Sequence, residues 1–128
     1  VGRPGPAMRT ESRKLQKAAL KNLTSYIKRD MKSPEDFGSL HHFISHQTTP
    51  RAVNKGASLI GESFGHPDVV RSISHTGNTA STSHAAVLET LLEDGQLAPD
   101  QKIYFMSFGS GLAMIGMNFH LPREVDTW

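Results

Sequence analysis

Two apolar stretches near the end of the chain, residues 102–108 and 113–119, are separated only by Gly109-Ser110-Gly111-Leu112. Each is short, apolar and bounded by turn residues, the pattern of a buried strand. So tight a connection leaves no room for a crossover, so the two strands run antiparallel and adjacent. Everything upstream must build onto this pair.

From Thr10, Leu15, Ala18, Ala19, Leu23, Tyr26 and Ile27 recur at three-to-four spacing. That spacing predicts an amphipathic helix of about five turns, with Thr10 or Ser12 as its cap. Ser33-Pro34-Glu35-Asp36 reads as a turn, and His42-Phe43-Ile44-Ser45-His46 as a short strand. Thr49-Pro50 has the form of an N-cap followed by proline at the first helical position. Val53, Ala57, Ile60 and Phe64 would be that helix's buried face, and Gly65-His66-Pro67 its end. Val69 to Ser74 predicts another strand. A helix carrying Ala85, Leu88, Leu91 and Leu92 follows Gly77-Asn78-Thr79 and closes at Asp94-Gly95. Residues 1–9 form an irregular lead-in, 10–121 one domain, and 122–128 a polar tail.

Helices alternating with strands predict an α/β fold: a layered sheet, parallel except for its last strand. In such sheets reactive groups gather beyond the carboxyl ends of the strands. Three segments end strands in this way: His46-Gln47, Gly77-Asn78-Thr79 and Phe108-Gly109-Ser110-Gly111. They are expected to meet on one side of the sheet.

Each segment can carry chemistry. A neutral imidazole at His46 can hydrogen-bond a carbonyl or move a proton, or serve as a structural histidine. The Asn78 amide can donate to an enolate or oxyanion, or form an Asx turn. The glycine-rich turn can present the Ser110 backbone N–H to an oxyanion, or simply close a hairpin.

Composition removes other chemistries. The 128 residues contain no cysteine, which excludes disulfides, a thiolate metal cluster and a cysteine nucleophile within this chain. No run approaches the roughly 20 apolar residues of a membrane span, and no apolar signal-peptide core is visible. No Gly-x-Ser-x-Gly elbow follows a strand. No metal site is expected, because His41 and His42 would point to opposite faces of a strand and no His-Glu-x-x-His helix exists. Net charge is only +2, although Arg9, Arg13, Lys14, Lys17, Lys21, Lys28, Arg29 and Lys32 line the first helix. That face is either simply solvated or a surface for an acidic partner. No nucleic-acid partner is expected.

His46-Gln47-Thr48-Thr49-Pro50-Arg51, Gly77-Asn78-Thr79-Ala80-Ser81 and Phe108-Gly109-Ser110-Gly111, in this order and spacing, resemble the C-terminal half of β-ketoacyl-acyl-carrier-protein synthase III, in the thiolase superfamily. "AVLETLLEDGQLAPDQKIYFMSFGSGLAMIGM" is similar to that family's closing helix and two strands, and Gly5-Pro6-Ala7-Met8 to the loop before its long helix. The resemblance implies a thiolase-like half-fold, incomplete without an N-terminal half, whose central strand precedes Val1. It implies a condensing acyltransferase of fatty acid or polyketide biosynthesis, cytoplasmic, and dimeric when complete. A cysteine in the N-terminal half would take an acyl group from coenzyme A or the phosphopantetheine of acyl carrier protein. These thioesters are substrates, and no permanently bound cofactor is implied. His46 and Asn78 would be the catalytic pair, both as neutral donors to an enolate. Ser110 would supply its backbone N–H to an oxyanion, and Arg51 would contact coenzyme A or the carrier protein.

The chain departs from the family at Thr49, where an asparagine is common, and at Ser110, where a glycine is common. Two other readings stay open. One is a same-fold acyltransferase acting on an alcohol or amine without decarboxylation. The other is a non-catalytic subunit of a heteromeric synthase.

Overall fold

The long amphipathic segment forms helix α1, Ser12–Asp30, with Leu23 and Ile27 buried. The structure, a computed structural model, describes residues 11–31, 36, 38–65, 68–109 and 112–123. Ser12 is already helical, and Glu11 occupies the cap position without a side-chain capping bond. The alternative cap Thr10, the turn at Ser33-Pro34-Glu35, Ser110, the lead-in 1–9 and most of the tail lie outside the described residues.

Strand β1, His42–Ser45, leads to helix α2, Pro50–Phe64. The Thr49 hydroxyl accepts the Ala52 N–H at 3.2 Å, satisfying one of the donors that a helix start leaves open. Val53, Ala57 and Ile60 are buried, as their spacing predicts, and Phe64 is half-buried.

The expected strand from Val69 to Ser74 does not form. Strand β2 is only Asp68–Val69, and the chain turns into a one-turn helix α3, Ile73–Thr76. Pairing stops at Phe43↔Val69, although β1 itself runs on to Ser45. The buried Gln47 amide then donates to the Val70 carbonyl at 3.3 Å, where a ladder bond would otherwise continue. The Ser72 carbonyl accepts from the N–H groups of His75 and Thr76, which begins the turn.

A 3-10 turn, Ala80–Thr82, opens into helix α4, Ser83–Glu93. Its buried face is Ser83, Val87 and Leu91. Of the four residues expected there, Leu91 is buried and Leu88 half-buried, whereas Ala85 and Leu92 are exposed, Leu92 at 66%. The face follows an i, i+4, i+8 line from Ser83, so one polar residue at the helix start replaces one of the leucines.

Strands β3, Lys102–Gly109, and β4, Ala113–His120, form the predicted antiparallel pair. The sheet order is β2-β1-β3-β4, with β1 parallel to both its neighbours. The resemblance would leave a central strand vacant. Instead β1 and β3 pair directly from His42↔Ile103 to Ser45↔Met106, so among the described residues the sheet has no gap.

Alternation along the strands builds two cores. Phe43, Tyr104 and Met106 meet Leu23, Ile27 and Ile60 of α1 and α2 on one face. Ile44 and Ile103 meet Val87 and Leu91 of α4 on the other. The architecture is thus three-layered around a mixed sheet with its last strand antiparallel. Ile115, Met117 and Phe119 of β4 are 64%, 54% and 45% exposed. No helix among the described residues is long and apolar enough to cross a membrane.

Candidate functional site

A cavity of about 560 Å³ lies between α1, α2 and the carboxyl ends of the strands. Leu15, Leu20, Val53, Ile60 and Phe108 give it apolar walls, and His46, Thr48, Thr49 and Asn78 give it polar groups. Gly109, at the end of β3, also lines it. Residues from each of the three segments read from the sequence thus line one cavity, but Gly77-Asn78-Thr79 follows the one-turn helix α3 and does not end a strand as expected.

His46 stands one residue past β1, its backbone N–H held by the Met106 carbonyl at 2.9 Å. The half-buried ring places Nδ1 2.8 Å from the Ser83 hydroxyl. Burial lowers its pKa from the ordinary 6.5, nearby His84 lowers it further, and the Ala80 carbonyl opposes both. His46 is thus neutral at neutral pH.

Asn78 is aimed by Gly77, whose backbone lies at φ 67°, ψ −168°, a region essentially restricted to glycine. The Asn78 Oδ1 accepts the Ala80 N–H at 3.0 Å, an Asx turn. The turn and the chemical role are compatible, because the turn engages the oxygen and does not use the amide N–H donors. Ala80 itself adopts φ 53°, strained for a residue with a Cβ.

Arg51 lies exposed in the first turn of α2 and does not line the cavity. Ser110 lies outside the described residues. Among the other histidines, His41 Nδ1 accepts the Lys102 N–H and His42 Nε2 donates to the Gln96 carbonyl.

Sequence reasoning missed Ser83 and His84. Ser83 is 1% exposed. His84 Nε2 donates to the Met106 carbonyl at 2.9 Å while its ring stacks on His46. The hydroxyl-rich run before the helix was the available signal, but it reads as ordinary capping chemistry.

Residues 33–121 match the family described as "3-oxoacyl-[acyl-carrier-protein (ACP)] synthase III C terminal". The chain belongs to this family. A β-ketoacyl-[acyl-carrier-protein] synthase III from Streptomyces lividans is 31% identical over 90 residues, covering 70% of this chain and 26% of that protein. Similar solved structures include 3-oxoacyl-(acyl carrier protein) synthase III from Pseudomonas aeruginosa, with a TM-score of 0.75 and 23% identity over 94% of this chain and 39% of that one. The priming β-ketosynthase of the R1128 polyketide pathway gives a TM-score of 0.76 and 26% identity over 91% of this chain and 35% of that one. The chain thus spans well under half the length of these synthase III-type relatives.

Proposed function

We propose that this chain is the C-terminal part of an acyl-thioester condensing enzyme of the synthase III type. It supplies His46 and Asn78 to a Cys-His-Asn site whose cysteine lies in an N-terminal half, covalently attached or separate. The observation that carries this reading is that His46 and Asn78 line one cavity in a chain of this family. The absence of cysteine here requires the nucleophile to come from elsewhere. The exposed apolar residues Ile115, Met117 and Phe119 support a partner half that covers them.

The substrates in this reading are thioesters of coenzyme A or of the acyl carrier protein phosphopantetheine. The acyl group passes to the partner's cysteine. A malonyl thioester then loses carbon dioxide, leaving negative charge on its thioester oxygen. The Asn78 amide donates to that oxygen, with His46 beside it, and the resulting carbanion equivalent attacks the acyl group. Ser110 is proposed to contribute its backbone N–H to the acyl oxyanion. The complete enzyme is proposed to be a cytoplasmic dimer.

The test is Asn78→Ala in the complete two-half enzyme, with acylation and decarboxylation followed separately in single turnovers. Loss of one oxyanion donor costs about 10²–10³ in rate, and that loss is expected in decarboxylation, with acylation nearly unchanged. Equal loss in both steps would assign Asn78 to the turn alone. An enzyme that never decarboxylates malonyl thioesters would instead be an acyltransferase toward an alcohol or amine.

A further inference from the structure

The Ser83 hydroxyl has a single proton and two neighbours that could take it. Its oxygen lies 2.9 Å from the Ala80 carbonyl and 2.8 Å from His46 Nδ1. A carbonyl can only accept, so the proton goes to Ala80. The contact with His46 then needs its hydrogen from the imidazole. We propose that Ser83 is a positioning residue that fixes His46 as the Nδ1–H tautomer, leaving Nε2 as a proton acceptor toward the cavity.

Further observations fit. Ser83 is 1% exposed at the first turn of α4, so water does not compete for its oxygen. The Ala80 carbonyl is itself fixed, because the Ala80 N–H is held by Asn78 Oδ1. The Ala80 carbonyl also favours a ring N–H on His46, because a carbonyl can only accept. No Asp, Glu, Lys or Arg is among the described residues lining the cavity. The titratable group against the ring is His84, whose Nε2–H is committed to the Met106 carbonyl.

This inference rests on the proposed function only for what the acceptor is used for, and it revises one sequence expectation. A neutral His46 held in this way does not donate from Nε2. It first takes a proton, as from a thiol brought to the cavity. The S–H bond breaks with its electron pair left on sulfur, and an Nε2–H bond forms. The imidazolium keeps its Nδ1–H on Ser83 and can then donate from Nε2 to an oxyanion.

The tautomer is read directly by long-range ¹⁵N–¹H correlation on the labelled 128-residue chain at neutral pH. The expected spectrum shows a pyrrole-type Nδ1 and a pyridine-type Nε2 for His46, with a bias of about tenfold, the ratio set by one hydrogen bond of ordinary strength. A dominant Nε2–H tautomer overturns the proposal. Ser83→Ala supplies a second arm. If Ser83 accepts from His46, losing it removes a bond that favours the charged ring, so the pKa of His46 falls and the tautomers mix. If Ser83 donates to His46, the same change raises the pKa, which also overturns the proposal. Ser83→Thr keeps the hydroxyl and is expected to restore the wild-type tautomer. None of these readings uses turnover, so their failure is distinguishable from failure of the condensing-enzyme assignment.

Discussion

His84 lies over His46 with ring centroids 6.1 Å apart and planes 21° from parallel. Burial is the larger reason that His46 resists protonation, and His84 adds to it. His84→Gln is therefore expected to raise the His46 pKa without returning it to its ordinary value, as followed by NMR titration. The sign for stability follows from linkage. An unfolded His46 takes a proton near 6.5, whereas the folded one takes it at lower pH. Its contribution is fully present above about 6.5 and is lost as pH falls from there through the folded value. An NMR midpoint that stays put or falls in His84→Gln would refute this.

Gly77 is the residue whose backbone no other side chain can readily replace at this junction. Gly77→Ala places a Cβ at φ 67°, ψ −168°, at a cost of about 1–3 kcal/mol. Denaturant unfolding should show the loss of stability. If the turn relaxes instead, the complete enzyme should lose decarboxylation through misplaced Asn78. A variant unchanged in both respects would show that Gly77 does not aim Asn78.

Tyr104 ties the sheet to the end of α1, its buried hydroxyl donating to Asp30 Oδ2 at 2.6 Å. Burial first, and then the Asp30 carboxylate, push the phenol's pKa well upward, so it remains a donor throughout the working pH range. Tyr104→Phe should cost about 1.5–3 kcal/mol, the scale of a hydrogen bond to a charged group. Gly116→Ala should be at least as damaging, because its Cβ would collide with the Tyr104 hydroxyl and come 2.6 Å from Asp30 Oδ2. Chemical denaturation of both variants checks the order.

Arg51 is expected to contribute to recruitment of an acidic carrier protein or of coenzyme A phosphates, together with the exposed face of α1. That face is less available than its composition suggests. Lys14 pairs with Glu11 at 2.7 Å, Lys28 lies over Phe64 and Arg29 over Tyr26. Arg51→Ala should weaken carrier binding at low salt and matter less at high salt, where screening acts over about 8–10 Å or less. Equal affinity in all four combinations of variant and salt would remove Arg51 from recruitment.

The sequence made the antiparallel pair legible because a four-residue connection permits little else, and it made α2 legible because Thr49-Pro50 is a local signal. It also placed His46 at a strand end and both His46 and Asn78 at one cavity, although Asn78 follows a one-turn helix and not the strand expected there. The false strand after Val69 was not a failure of apolar content. The ladder stops where the Gln47 side chain takes the Val70 carbonyl, a contact made across the fold and not legible locally. The buried face of α4 was misread because Ser83, a polar residue, occupies the position that leucine periodicity would have assigned to the core. For the same reason Ser83 escaped notice as a site residue. A buried serine becomes meaningful only when its neighbours across the fold are known.

The peptide of Ala80 gives the site a common anchor. Its N–H is taken by Asn78, and its carbonyl by Ser83, which holds His46. The two arms of the site are therefore not independent variables. A change that shifts this one peptide alters both at once, so selection or design can adjust their spacing only jointly. Substitutions at Asn78 and Ser83 should accordingly fail to add in a double-mutant cycle, because both side chains bond to this one peptide.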